Sequence, residues 1–414
     1  MDIKRPAGVT CRPPIRTPRV LTLRGSAWSR LLLTVATLCI LGVTCQATVQ
    51  AIDDLTRRFQ AELDRLQQAE GFPGATAAFA LPDGRVVGVA TGVADRETGA
   101  PMTSDTRMLA ASIGKMFVAA TALGLAREGK LDLDQSIEQY LGDEAWFPRL
   151  QQGRDMTLRM LLSHSAGVRD YGAPEFIAAW EAGRRADPDY APTPRELISY
   201  VLDKPPLFSV GRGYAYTDTS YLIVGLVIEK VAASTYYDEV RRRFFVPLGL
   251  ALTMPSDRRN LPGLAAGYSA PNNPLRMPAK SVVNGVLTWN PALEWTGGGF
   301  ASNPKDLVQW AKALFEEQAM PAPYLAEMLA GMPGNPAQEP GGSRYGLGVG
   351  IAETPLGTSY GHGGWIPGYR SQLAYFPARR VALAMQVNTD VSPVFERMSS
   401  YLLALATVVL DHVH

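Results

Sequence analysis

Apolar residues recur along this chain with two different periods, and the switches between them mark its elements. Leu55, Phe59, Leu63 and Leu66 share one helical face between Ile52 and Glu70, with charged residues elsewhere. Gly71-Phe72-Pro73-Gly74 closes that helix. The pattern then turns strand-like, and Ala75–Ala80 and Val86–Val93 form a hairpin around Pro82-Asp83-Gly84. From Ser112 to about residue 255 helical spacing dominates. It begins with a helix ending near Gly129 and continues through Leu158–Ser163, Pro194–Leu202, Tyr221–Val231 and Tyr236–Phe245.

A stretch rich in proline, glycine and asparagine, about 255–295, predicts long loops or short strands. Asp306–Glu317 reads as a helix. Strand signals return in Tyr345–Ile351, Ser359–His362, Ser371–Phe376 and Val381–Val387, and Val394–Leu410 closes the chain as an amphipathic helix. Strands at both ends around a helical middle predict one α/β lobe, about 52–111 and 296–414, with a mostly helical lobe inserted at about 112–295. The cleft between two such lobes is where a substrate site forms.

The first fifty residues follow another logic. Lys4, Arg5, Arg12, Arg16, Arg19, Arg24 and Arg30 precede an apolar run, Leu31–Val43, and small residues follow. This is the layout of a secretory signal peptide, assigned to residues 1–51, with Cys45-Gln46-Ala47 and Val49-Gln50-Ala51 as cleavage sites. The run falls short of the roughly 20 residues a membrane span needs, so the expected location is periplasmic or secreted, and membrane contact is expected only through an uncleaved leader. All three cysteines, Cys11, Cys39 and Cys45, lie in this leader. Cleavage leaves a body without a cysteine nucleophile or thiolate metal site. His164 and His362 stand too far apart in sequence for a metal-binding pair, so neither a metal nor a cofactor is expected. A net charge of +1, without strongly basic or acidic tracts in the body, points away from nucleic acid and from an acidic polymer substrate.

Candidate chemistry begins at Ser112-Ile113-Gly114-Lys115. Residues at i and i+3 share a helix face, so the Lys115 amine can reach the Ser112 hydroxyl and activate it where no histidine is adjacent. The same pattern recurs at Ser302-Asn303-Pro304-Lys305, where the serine reads as a helix cap before Pro304. Tyr216-Thr217-Asp218 supplies a phenol whose pKa a nearby lysine would lower, fitting it to take a serine proton. Tyr236-Tyr237-Asp238 has the same spacing, and a tyrosine followed by a helix cap is the plainer alternative for either. His362-Gly363-Gly364 ends a predicted strand, where glycines let a substrate backbone approach and pair.

In this order and spacing the three motifs resemble those of the serine β-lactamase and penicillin-binding superfamily. The likeness is greatest to the branch of class C β-lactamases, D-Ala-D-Ala carboxypeptidases, D-aminopeptidases and related esterases. Leu161-Leu162-Ser163-His164-Ser165-Ala166-Gly167-Val168 is similar to that branch's Leu-Leu-Ser-His-Thr-Ser-Gly segment, and Gly297-Gly298-Gly299-Phe300-Ala301-Ser302 is similar to its late helix entry. The resemblance implies an antiparallel sheet flanked by helices, in the β-lactamase/transpeptidase manner. It implies an acylated nucleophile at Ser112, a proton partner at Lys115 and a general base at Tyr216. His362 and Gly364 would line the substrate strand, and backbone N–H groups of Ser112 and Trp365 would form the oxyanion hole. Such donors contribute about 3–4 kcal/mol each in comparable sites. Arg370 would meet a substrate carboxylate, and His164 would be structural. The second serine-x-x-lysine becomes structural as well.

Two departures narrow the activity implied. Asp218 stands where the family often has asparagine; a carboxylate only accepts hydrogen bonds, and it favours a charged Lys115. His362 replaces the lysine of true β-lactamases, which removes a permanent cation facing substrate. Both shift the expectation from β-lactam destruction to an exported hydrolase of D-alanyl peptides or related small amides and esters. An esterase, a weak β-lactamase and a non-catalytic cell-wall peptide binder are the alternatives.

Overall fold

Ala100–Pro101, Val86–Asp95, Gly74–Ala80, Val381–Val387, Tyr369–Phe376, Gly357–Ile366, Gly350–Thr354 and Arg344–Tyr345 pair, in that spatial order, into one eight-stranded antiparallel sheet. The computed structural model describes residues 50, 52–331 and 344–413. The leader lies outside the described residues, and the sheet and its helices belong to the unit that begins at Leu55. The first and last parts of the chain meet at the centre of the sheet, where Ala77 faces Met385 across the Gly74–Ala80 and Val381–Val387 pair.

Both central strands are buried along their whole length. Helices cover them: Pro304–Phe315 packs on Gly74–Ala80 and Val381–Val387, and Val394–Leu410 packs on Tyr369–Phe376 and Val381–Val387. The sequence Gly-Ala-Thr-Ala-Ala-Phe-Ala over 74–80 fits this crowding, because small side chains let helices approach closely. The helix predicted from Leu55, Phe59, Leu63 and Leu66 forms, and all four are buried; Phe59 meets Phe79 edge-on at 4.9 Å.

The inserted region is built on two apolar helices, Lys115–Arg127 and Asp218–Ala232, packed against each other. Both are apolar on nearly every face, which suits helices at the centre of a large core. Phe117 stacks on Trp310 at 4.1 Å, tying the helix after Ser112 to the helix that backs the sheet. Among the described residues no helix is long and apolar enough to cross a membrane.

Several elements differ from the sequence reading. The strand predicted over Tyr345–Ile351 is two strands, Arg344–Tyr345 and Gly350–Thr354, and Gly348 between them has a left-handed φ of 70°. A Cβ there would crowd the Lys115 carbonyl and the Ala119 side chain, so the bend holds this segment against the Lys115 helix. The helix expected from Tyr221 starts at Asp218. The helix Pro174–Ala186, which buries Phe176, Ile177 and Trp180, has no counterpart in the sequence reading. At the second serine-x-x-lysine the cap is Asn303, whose side chain accepts the Asp306 N–H at 3.0 Å. Ser302 ends a strand, buried, with its hydroxyl 2.8 Å from that of Thr253, and Lys305 pairs with Asp105. The motif is structural, but its serine is not the cap.

Candidate active site

Ser112 sits in a single 3-10 turn, Ala111–Gly114, that runs directly into the helix Lys115–Arg127. The turn begins at Ala111, a non-glycine residue held at φ 48°. Left-handed backbone at an alanine is costly and persists where the surroundings impose it. Here the Gly297-Gly298 segment presses against the turn, and a Cβ on Gly298 would overlap the Ala111 carbonyl. Glycine is required there so that backbone can lie against backbone.

Lys115 is completely buried, and its three N–H donors have three acceptors. Nζ donates to Ser112 Oγ at 3.0 Å, to Asp218 Oδ1 at 2.5 Å and to the Gly297 carbonyl at 2.5 Å. Burial alone would pull the ammonium down, but the Asp218 carboxylate outweighs it and the net shift is upward. Lys115 is therefore a saturated cation in the resting site. It organises Ser112 and cannot accept the serine proton until that arrangement changes.

Asp218 opens the helix Asp218–Ala232 behind Thr217, whose hydroxyl accepts the Thr219 N–H at 3.1 Å as the N-cap. A carboxylate in the first turn also faces the positive end of the helix dipole. Next to it, Tyr216 lies with its ring 4.9 Å from Lys115 Nζ, and its hydroxyl interacts with both Lys115 and Ser112. The Tyr216 pKa, expected from the nearby lysine to fall, is instead raised. Burial of the hydroxyl pushes it up to about 12, with Lys115 pulling the other way. The residue still has 42% of its surface open to the cleft, so solvent moderates this rise. At neutral pH the resting pair is neutral tyrosine beside charged lysine.

His362 is buried, and both ring nitrogens are occupied: Nδ1 donates to the Gly363 carbonyl at 2.6 Å, and Nε2 accepts from the Tyr345 hydroxyl at 2.8 Å. Burial, aided by the Lys115 charge, lowers its pKa to about 3. It is a neutral, fixed wall and not the titratable donor that its motif suggests. Gly364 is needed because a Cβ there would collide with the Ala110 carbonyl and Ser371 Oγ. That contact presses the strand Gly357–Ile366 against the segment leading into Ser112. His362 and Gly364 share this inner face. Trp365 and its cross-strand partner Arg370 point to the opposite face of the sheet, since successive strand residues alternate. There Trp365 Nε1 donates to Asp390 at 2.9 Å, and Arg370 stacks on Phe395 at 4.9 Å. Ser112, Lys115, Tyr216 and Asp218 thus form one contact cluster, with His362 and Gly364 as its wall. Trp365 and Arg370 also border the cleft.

The cleft holds about 770 Å³. Its wall on the helical side carries three acidic groups, Asp170, Asp218 and Glu294, of which the sequence reading misses Asp170 and Glu294. Asp170 accepts the Asp218 N–H at 2.7 Å, and burial followed by the Asp218 charge raises its pKa. Glu294 is raised to about 8 by burial and by the charges of Asp218 and Asp170, against Lys115. No motif marks either residue; Asp170 lies in irregular chain, Glu294 ends the short 3-10 turn Pro291–Glu294, and only the fold brings both to the cleft. Arg344 and Arg370 stand on the sheet side. The rival Tyr236-Tyr237-Asp238 is structural: Tyr236 is fully buried, and Asp238 bonds to the Thr235 cap.

A serine hydrogen-bonded by a buried lysine, with a tyrosine at its side and a glycine-edged strand across the cleft, is the arrangement of a serine hydrolase. The chain belongs to the Beta-lactamase family, whose sequence model matches residues 55–407. It is 27% identical to a D-aminopeptidase of Brucella anthropi over 81% of this chain, and the match spans 60% of that protein's length. It is 28% identical to penicillin-binding protein 4 of Amycolatopsis lactamdurans over 48% of this chain and 49% of that one. Among solved structures, the D-amino acid amidase of Ochrobactrum anthropi SV3 with D-phenylalanine superposes with a TM-score of 0.73 at 25% identity, covering 86% of this chain and 99% of that one. A D-stereospecific amidohydrolase from Streptomyces sp. gives 0.68 at 29% identity, covering 80% and 94%.

Proposed function

We propose that this protein is an exported serine hydrolase that cleaves small amides or short peptides bearing a free D-configured amino group beside the scissile bond. The reaction runs through an acyl-enzyme on Ser112. The carrying observation is the Ser112–Lys115–Asp218 arrangement beside Tyr216, in a cleft lined by the carboxyl groups of Asp170, Asp218 and Glu294. Ser112 Oγ attacks the carbonyl carbon while its proton passes to Tyr216. The oxyanion is held by the backbone N–H groups of Ser112 and Trp365. Tyr216 then protonates the leaving amine, and water attacks the ester to release the acid and regenerate Ser112.

The named activities of the relatives support D-amino-acyl substrates. The acidic wall favours the amine end: an ammonium beside Glu294, Asp170 and Asp218 offsets the burial and the neighbouring charges that raise Glu294. On the sheet side, Arg344 suits the carboxylate of a short peptide. Export is supported by the basic and apolar leader, and the substrate class requires no nucleic acid or cofactor.

The test compares D-alanine amide, its L enantiomer, D-alanyl-D-alanine, N-acetyl-D-alanyl-D-alanine and a chromogenic cephalosporin, with intact mass to detect the acyl-enzyme. D-alanine amide should exceed its enantiomer, and acetylating the dipeptide amine should lower kcat/KM at least about tenfold, the low end for losing a charge-assisted bond. A protein that prefers the acetylated dipeptide would sink the amine assignment. No adduct in wild type, or one that persists in Ser112→Ala, would sink the Ser112 mechanism.

Glu294→Gln gives a second expectation. In wild type Glu294 ionises as pH rises towards about 8, while an α-amine loses its proton above roughly 8. KM for D-alanine amide should therefore reach its minimum near pH 8. The variant should raise KM about tenfold at that pH and flatten the dependence below it. An unchanged profile would remove Glu294 from substrate binding.

A further inference from the structure

The segment Ser163–Gly167, at the end of the short helix Leu158–Leu162, is braced by its own hydrogen bonds. Ser163 Oγ donates to the Arg159 carbonyl at 2.7 Å, the Ser165 N–H donates to the Met160 carbonyl at 2.8 Å, and the two serine hydroxyls lie 3.0 Å apart. The chain from Leu207 to Thr217, which carries Tyr216, hangs on this segment by a series of bonds. Leu207 N–H donates to the Gly167 carbonyl at 2.8 Å, Gly211 N–H to that of Ser165 at 2.8 Å, and Ala215 N–H to that of His164 at 3.0 Å. Thr217 N–H then donates to His164 Nδ1 at 3.3 Å. Gly167 is required at φ 71°, because a Cβ would overlap the Phe208 carbonyl as the two stretches of backbone come together.

His164 is the member of this platform that reaches Tyr216 from both sides and from beneath. Its carbonyl takes the residue before Tyr216, its ring nitrogen takes the residue after, and its ring lies under the phenol with centroids 4.2 Å apart at 40°. The residue adopts φ 57°, which turns ring and carbonyl to the same stretch of chain. Accepting an N–H at Nδ1 places the ring proton on Nε2, which is buried without a partner. Tyr221 and Tyr345 close around it at 5.2 and 4.8 Å. A histidine with an orphaned buried N–H is expensive for purely structural packing, and phenylalanine would fill the space without that defect.

We infer that His164 is a positioning residue for the reaction: by clamping Ala215, Tyr216 and Thr217 it fixes the Tyr216 hydroxyl at Ser112 and Lys115. This rests on Tyr216 being the proton-transfer group at Ser112. His164 touches no reacting atom, so its effect on rate passes entirely through Tyr216, and that separates positioning from general stabilisation.

A double-mutant cycle reads this out, with the rate of Ser112 phosphonylation by a fluorophosphonate followed by intact mass. His164→Phe keeps the ring and loses the acceptor; the rate constant should fall about 10- to 100-fold, as expected when a catalytic group is misplaced by an ångström or so. In a Tyr216→Phe background the same substitution should change the rate less than about threefold, the ordinary scatter of additivity. His164→Asn keeps an acceptor near the Nδ1 position and serves if the phenylalanine variant does not fold; it should retain more of the rate. The activity-independent readout is the titration of Tyr216 labelled at 13Cζ. In wild type it should titrate well above the free phenol, and in His164→Phe it should move towards about 10 as the ring swings into solvent. Equal losses with and without the Tyr216 hydroxyl, or a Tyr216 titration untouched by His164→Phe, would overturn the inference. Failure of the wild type to label would instead overturn the serine-hydrolase reading, and the titration alone would then decide the clamp.

Discussion

Lys115→Met should reduce acylation of Ser112 by about 10⁴-fold, the scale seen when one member of a concerted catalytic group is removed. Methionine fills most of the lysine stem, so the loss isolates the ammonium. That ammonium has three acceptors and no exposure to water. Its removal strands the Asp218 carboxylate and the Gly297 carbonyl. Unfolding by urea should show a loss of about 3 kcal/mol, the lower end for breaking a buried pair, because the Asp218 side chain is still 29% exposed. The sign with pH follows from the upward shift of Lys115. A cation raised in the folded state contributes fully below its unfolded pKa of about 10.4, and the contribution is lost only as pH climbs through the higher folded value. The deficit of the variant should therefore be constant across neutral pH. Adding Asp218→Asn removes the stranded charge, so stability should partly return while acylation does not. A Lys115→Met protein that labels within tenfold of wild type would leave the lysine without a catalytic role.

Much of this site is legible in the sequence because its chemistry is carried by short motifs on regular elements. Ser112, in the 3-10 turn, and Lys115, at the start of the helix that continues it, are one turn apart, and the i, i+3 spacing puts them in contact. Tyr216 and His362 are legible as types and in order, but their ionisation is not. The pKa of Tyr216 depends on how deeply its hydroxyl is buried, and sequence spacing conveys only that a lysine is near. His362 stays neutral because it is buried beside the charged Lys115, while Tyr345 and Gly363 fix its ring. The first of these comes from a strand that the sequence pattern merges with its neighbour. Asp170 and Glu294 are invisible for a related reason. Asp170 lies in irregular chain and Glu294 ends a short 3-10 turn, and only the fold brings them to Asp218. The sheet is more readable than the helices, since its strands are short β-branched or small-residue runs bounded by turns. Pro174–Ala186 escapes because its buried positions, Phe176, Ile177 and Trp180, cover too few turns to stand out from the loops around them.

Tyr216→Phe separates the two basic groups of the site, and its expected cost is roughly 10²–10⁴-fold in acylation, the range for a positioned general base. Stability should change by less than about 0.5 kcal/mol, because the ring keeps its packing and much of it is already exposed. The pH profile carries the sharper discrimination. With Tyr216 raised to about 12, its ionised fraction at neutral pH is small and grows tenfold with each pH unit. On a neutral p-nitrophenyl ester, which avoids the titration of Glu294 against an amine, kcat/KM should climb with a slope near one from about pH 6 to 9. The limb should bend below 12 rather than at it, since the open face of the phenol lets water stabilise its anion. Phenylalanine should abolish that limb once hydroxide hydrolysis is subtracted. If the slope survives in Tyr216→Phe, the proton goes to Lys115, which would first have to release its proton to Asp218 or to the substrate. The distinction matters for the whole mechanism. A saturated Lys115 and a reluctant Tyr216 describe a resting site that is nearly inert, and it becomes basic only when a substrate displaces cleft water and redistributes the Asp218–Lys115–Tyr216 hydrogen bonds. In the proposed reaction, an amine pairing with the acidic wall would begin that redistribution by drawing Asp218 away from Lys115, so that substrate recognition and activation of Ser112 would be the same event.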